Sequence, residues 1–199
     1  MATASSTFAG SENPLSEGGV WVSGIGASLD VQKSAGVAIG TSAVDFGCGK
    51  YVGAAFGADQ FSEVVVSAAV SVSCGPVVRI QAASAACYLM NWDGGTSVIK
   101  IFRVTDGGSL GFVQLGGNIS IVAPQAGDRF RLVARGQQLE AYINGALIGA
   151  RIDANLATGA PGFFVINTTQ GFTDWAGGDV DDQKTGSFFR PFFRNILER

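Results

Sequence analysis

Residues 129–152 leave this chain the fewest choices of fold. In Arg129-Phe130-Arg131-Leu132-Val133-Ala134-Arg135, apolar Phe130, Leu132 and Ala134 alternate with Arg129, Arg131 and Arg135. A side-chain period of two belongs to a strand with one face in a core and the other in water. Leu139, Ala141 and Ile143 repeat the pattern against Glu140, Tyr142 and Asn144. Asn144-Gly145 then accepts the positive φ of a type I′ turn, the strongest short hairpin signal there is. Ala146-Leu147-Ile148-Gly149-Ala150-Arg151-Ile152 reads as the returning strand.

The same signature recurs upstream. Residues 64–72, 77–82, 87–92 and 98–104 read as short strands, separated by Cys74-Gly75-Pro76, Asp93-Gly94-Gly95 and Asp106-Gly107-Gly108 as turns. Nothing in the first 180 residues has a helical period. The 29 glycines, about twice ordinary usage, follow no collagen repeat and supply tight turns and bulges. Many short antiparallel strands at this spacing predict an all-β sandwich or barrel. A length of 199 residues suits one β domain with a full core. That domain is placed at residues 1–180, and residues 181–199 read as a short C-terminal extension.

Several function classes drop out on composition. Thirteen basic and 16 acidic residues give a net charge of −3, so no cationic field exists to gather nucleic acid. No run approaches the ~18 apolar residues of a membrane span. Met1-Ala2-Thr3-Ala4-Ser5-Ser6-Thr7-Phe8 lacks the basic and apolar regions of a signal peptide. The expectation is cytoplasmic synthesis, with any exit by a signal-free route such as viral lysis. The absence of histidine removes Ser-His-Asp and Cys-His systems and His metal sites. Gly47-Cys48-Gly49-Lys50 lacks the spacing of a phosphate loop and reads as a turn. Asp179, Asp181 and Asp182 read either as oxygen ligands for a hard cation or as a solvated acidic loop; no metal and no cofactor is expected. Cys48, Cys74 and Cys87 are either three buried thiols or a Cys74–Cys87 bridge with Cys48 free.

From Ala126 to Val165 the chain resembles the concanavalin A-like lectin/glucanase superfamily of jelly rolls. The residues that carry this are Gly127-Asp128-Arg129-Phe130-Arg131-Leu132, Ala134-x-Gly136, Leu139-x-x-Tyr142-x-Asn144-Gly145 and Asp153-x-x-Leu156-x-x-Gly159-x-x-Gly162. Pro14-Leu15-Ser16 with Gly19-x-Trp21, and Asp174-Trp175 with Gly177-Gly178-Asp179, extend it across residues 8–180. The resemblance implies a two-sheet antiparallel jelly-roll sandwich, concanavalin A-like, with its last strand beside its first. It does not fix a function, because this superfamily hosts lectins, glycanases, lyases and structural modules. Related glucanases carry Glu-x-Asp-x-Glu on one strand, setting two carboxyl groups ~5–5.5 Å apart. Here Glu12, Glu17, Glu63, Glu140 and Glu198 each lack a carboxylate two residues away, so a non-enzyme is expected. The whole chain also resembles phage virion proteins of the head surface or tail.

Two sets of residues carry candidate binding chemistry. Aromatic faces stack on sugar C–H groups while charged and amide groups bond hydroxyls. By alternation, Arg79, Gln81, Tyr88, Trp92, Arg131, Glu140 and Tyr142 oppose the most apolar strand positions, and the resemblance implies that such strands line a concave, glycan-binding sheet. The other reading makes Tyr88, Trp92 and Tyr142 core or interface aromatics. In the extension, Phe188, Phe189, Phe192 and Phe193 surround Pro191, interleaved with Arg190 and Arg194. They either pack on their own sandwich or dock into another subunit as anchors. The expected function is a non-catalytic lectin-like binding and assembly module, a structural or adhesion component of a phage particle that also binds glycans. The expected partners are protein subunits, in a homo-oligomer or particle, and glycans. The alternatives are a stand-alone carbohydrate-binding lectin domain and a glycan-cleaving hydrolase or lyase.

Overall fold

The computed structural model describes residues 1–24, 31–42, 46–68, 73–106, 110–166 and 168–180. In chain order its strands are β1 (Thr3–Ser6), β2 (Trp21–Ser23), β3 (Val31–Ser34), β4 (Val37–Gly40), β5 (Gly47–Tyr51), β6 (Gln60–Val66), β7 (Cys74–Ile80) and β8 (Cys87–Trp92). They continue as β9 (Val98–Asp106), β10 (Leu110–Gln114), β11 (Ile119–Ser120), β12 (Arg129–Arg135), β13 (Gln138–Ile143), β14 (Ala146–Ile152), β15 (Ala160–Val165) and β16 (Phe172–Asp179). Two antiparallel sheets form a jelly-roll sandwich. The first runs β14-β13-β12-β6-β16-β4-β3, with β1 also on β16; the second runs β10-β9-β8-β7-β15-β5-β2, with β11 beside β9. Among the described residues, no helix is long and apolar enough to cross a membrane.

The 129–152 pattern folds as its period dictates. Phe130, Leu132, Ala134, Leu139 and Ala141 point inward and are fully buried. They meet Tyr88, Met90, Trp92, Ile99 and Ile101 of the second sheet. At the other end of the interior, Trp21 and Trp175 lie 4.7 Å apart, and Phe8 and Phe163 5.4 Å apart, both in edge-to-face contacts favoured by ring quadrupoles. The last strand does lie beside the first, with Thr3 opposite Gly178 and Ser6 opposite Trp175. Asp179 accepts from the backbone N–H of Ala2 and of Gly57, which ties this terminus down and lowers the carboxyl pKa.

Three local readings need correction. The strand expected over 64–72 runs over Gln60–Val66 instead; residues 69–72 lie outside the described residues. Cys74-Gly75-Pro76 is strand rather than turn. A Cβ on Gly75 would lie 1.8 Å from the Met90 carbonyl oxygen, so glycine is there for close strand approach. Pairing to β8 skips Gly75 and Pro76, between Cys74↔Trp92 and Val77↔Leu89, and so Pro76 removes no ladder bond there. Gly47-Cys48-Gly49-Lys50 is also strand, in β5; a Cβ on Gly49 would press on the Phe163 ring at 3.1 Å. The cysteines are three free, buried thiols. Cys74 packs in the central core, while Cys48 and Cys87 belong to a separate cluster.

Candidate functional site

Because Phe130, Leu132 and Ala134 point inward, Arg129, Arg131 and Arg135 point out from the first sheet. Register then assembles neighbours that sequence distance hides. Arg131 lies opposite Tyr142 on β13 and Glu63 on β6. Glu63 lies opposite Ala176 on β16, Ala176 opposite Ser5 on β1, and Tyr142 opposite Leu147 on β14. Leu147, Tyr142, Arg131, Glu63, Ala176 and Ser5 therefore form one row across six strands. Strands are ~4.8 Å apart, so the row spans roughly 24 Å.

The polar groups of this face are tied to one another. Glu63 accepts from Arg129 at 3.0 Å, and its second oxygen lies 3.8 Å from Arg131. The Arg131 guanidinium carbon sits 3.9 Å above the Phe61 ring centroid, a cation–π contact that flattens the side chain onto the sheet. Partial burial lowers the Arg131 pKa, and the Glu63 charge opposes that. Farther along, Glu140 accepts from Arg135, Tyr142 and Gln138 at 2.8, 2.8 and 2.9 Å. Partial burial, and then the bond to Glu140, raise the Tyr142 pKa. Beyond Glu63 the face dips into a depression of about 230 Å³ lined by Ser5, Thr7, Glu63, Arg129, Asp174 and Trp175, among others. Pockets that enclose a drug-sized ligand run ~300–1,000 Å³, so this one has room for no more than a single small ring.

Of the seven residues expected to share a water-facing surface, the structure brings Arg131, Glu140 and Tyr142 together here. Arg79, Tyr88 and Trp92 are elsewhere and almost wholly buried, which corrects their placement. Tyr88 and Trp92 face the interior from β8, and Trp92 Nε1 donates to the Thr96 carbonyl at 2.8 Å. Arg79 occupies a bulge, where the β7–β15 register slips between Ala160 and Gly162 and its φ is 55°. A bulge re-aims a side chain, and the guanidinium is turned onto the Ala58 and Leu156 carbonyls. Gln81 donates to the Arg79 and Thr158 carbonyls.

These residues fasten one end of the sandwich. Tyr88 donates to Asp153 at 2.6 Å and accepts from the Leu156 N–H at 2.9 Å, while Arg103 pairs with the second Asp153 oxygen. Burial, reinforced by the Asp153 bond, pushes the Tyr88 pKa up to about 12. A Cβ on Gly159 would lie 2.4 Å from the Arg79 backbone. The Asp153, Leu156 and Gly159 of the resembling motif are thus structural.

Phe61, Glu63, Asp174, Ser5, Arg129 and Arg135 join the face although none of them was among the binding residues expected from the sequence. Phe61, Glu63 and Val65 do alternate with Ser62, Val64 and Val66, a signal hidden when the strand is started at Val64. Phe188, Phe189, Arg190, Phe192, Phe193 and Arg194 lie outside the described residues, as do Asp181 and Asp182. Among the described residues, no three Cys, Asp or Glu side chains are grouped to hold a metal ion.

No family model matches the chain, and no curated protein matches it in sequence. Among solved structures it is similar to the carbohydrate-binding module CBM66 from Bacillus subtilis, with TM-score 0.60 and 16% identity over 83% of this chain and 96% of that one. It is similar to a Crh5 transglycosylase in complex with NAG, with TM-score 0.56 and 12% identity over 91% of this chain and 85% of that one. A prokaryotic β-1,3-1,4-glucanase (lichenase) derived from a mouse hindgut metagenome gives TM-score 0.56 and 8% identity over 90% of this chain and 100% of that one. At such identities the likeness establishes the sandwich fold, which binding modules and glycan-processing enzymes share.

Proposed function

We propose that this chain is a non-catalytic, lectin-like module that binds a glycan across the outer face of its first sheet. The observation that carries the reading is the row Leu147–Tyr142–Arg131–Glu63–Ala176–Ser5 leading to the depression beside Asp174. It supplies an aromatic ring for sugar C–H groups, and paired guanidinium and carboxylate groups for hydroxyls. The fold likeness to a carbohydrate-binding module supports the same class. The likeness to a transglycosylase and a glucanase keeps catalysis as the competing reading. Glycosidic cleavage needs a pair of carboxyl groups, one of them able to pass a proton. On this face Glu63 and Glu140 are each held by arginine, which leaves Asp174 as a single carboxylate rather than half of a pair. A glycan array, followed by titration of each hit, tests the reading. Tyr142→Ala and Arg131→Ala should each weaken binding by about tenfold or more, as central contacts do, with the melting temperature preserved. Unchanged affinity in both variants would refute it.

An assembly role on a multi-subunit particle, such as a phage head or tail, is a second reading. Half-exposed Phe112, which extends the apolar Phe46–Phe102 margin of the opposite sheet, favours it, since apolar patches mark interfaces. It expects an oligomer that Phe192→Ala/Phe193→Ala dissociates, read by light scattering on the full chain. A monomer in both cases would remove it.

A further inference from the structure

Resting on the glycan reading above, we infer that the ligand is an electrically neutral, extended oligosaccharide lying across the strands, rather than an acidic sugar or a single terminal residue. Charge is the first argument. Among the described residues, the strand positions directed to this face carry Arg129, Arg131 and Arg135 against Glu63, Glu140 and Asp174, and these cancel. The cations are also committed: Arg129 and Arg131 approach Glu63, and Arg135 approaches Glu140. A carboxylated or sulfated sugar would have to displace Glu63 or Glu140 from its arginine, or sit beside it unscreened. Neutral hydroxyls meet no such conflict. Each hydroxyl donates and accepts at once, and each arginine–glutamate pair offers donors and an acceptor side by side.

Geometry is the second argument. The row runs perpendicular to the strands for roughly 24 Å at ~4.8 Å per strand, which is the reach of a short chain of sugars. Its two ends differ. Tyr142, with exposed Leu147 beside it, is a flat, partly apolar platform suited to stacking. The depression between Ser5, Glu63, Arg129 and Asp174, which Val65 and Ala176 also line, has room for one ring with polar groups at its rim. Arg131, braced on Phe61, stands between them. One sugar touches one end; a chain touches both.

Calorimetric titration of the full chain against neutral oligosaccharides of increasing length, and against carboxylated and sulfated ones, tests this at low and high ionic strength. Affinity for a neutral chain should rise about tenfold or more from monosaccharide to oligosaccharide, as linked contacts add. It should change by less than about twofold with salt, because a balanced face exerts little long-range attraction. Glu63→Gln, which frees Arg129 and Arg131, should shift preference toward the acidic sugars. Tighter binding of a carboxylated or sulfated sugar by the unaltered chain, weakened by salt, would overturn the inference and leave glycan binding standing. So would affinity independent of length. Binding of no glycan of either kind would overturn the glycan reading itself.

Discussion

The outer faces of the two sheets are built from opposite chemistry. On the first, Arg129, Arg131 and Arg135 meet Glu63, Glu140 and Tyr142 in a half-wet ladder. On the second, Cys48, Val77, Leu89, Cys87, Val104 and Phe164 form a second apolar cluster, with Phe46 and Phe102 packed against it. Phe46 stacks on Phe164 at 4.8 Å and meets Phe112 edge-to-face. Where this sheet is buried on both faces it is packed core, with Asn91 and Lys100 as a polar margin. The sheet with a polar face is free to carry recognition groups at no cost to the core.

That contrast also explains what could be read beforehand. The hairpin from Arg129 to Ile152 was legible because one of its faces is in water, so apolar and charged residues alternate. In β7 every residue is buried, alternation vanishes, and Gly75-Pro76 reads as punctuation. Tyr88, Met90 and Trp92 alternate with Cys87, Leu89 and Asn91, and only Asn91 is plainly polar, so the pattern marks neither face of β8 clearly as the wet one. Arg79 misled because a charged residue is rarely buried; the bulge that buries it is a property of two strands together. The first five strands are short, and β1 finds its partner far along the chain, with Ser6 opposite Trp175. The face itself was half legible: Arg131, Glu140 and Tyr142 come from one hairpin, whereas Glu63, Asp174 and Ser5 are recruited by register.

Substitutions ordered by size sharpen the contrast. Phe164→Ala removes a ring from the second sheet's buried outer cluster and should destabilise by ~3–5 kcal/mol in denaturant unfolding. A cost under about 1 kcal/mol would mean that this side is not a true core. Gly75→Ala inserts a methyl 1.8 Å from the Met90 oxygen and should cost at least the ~1–3 kcal/mol of ordinary overpacking.

Alkaline unfolding comes next. Burial raises the Cys48 thiol from its ordinary 9.0 to about 12, and raises Cys74 and Cys87 too. A raised thiol stabilises fully below the unfolded value of 9.0 and loses that contribution as pH climbs toward the folded one, by ~1.4 kcal/mol per pH unit per thiol. Cys48→Ala should therefore flatten the decline between pH 9 and about 12; an unchanged slope would place that thiol in water. The smallest effect belongs to the wet face: Arg131→Ala should change stability by less than ~1 kcal/mol, since exposed ion pairs contribute little.

The most direct test of the account sets the two faces against each other in one binding experiment. The best glycan ligand of the unaltered chain is titrated into Arg131→Ala/Tyr142→Ala on the first sheet and Phe112→Ala on the second, all with intact cooperative unfolding. Loss of binding in the first variant and its retention in the second is the predicted result. Full affinity in the first, or loss confined to Phe112→Ala, would contradict it and move the binding surface to the opposite sheet.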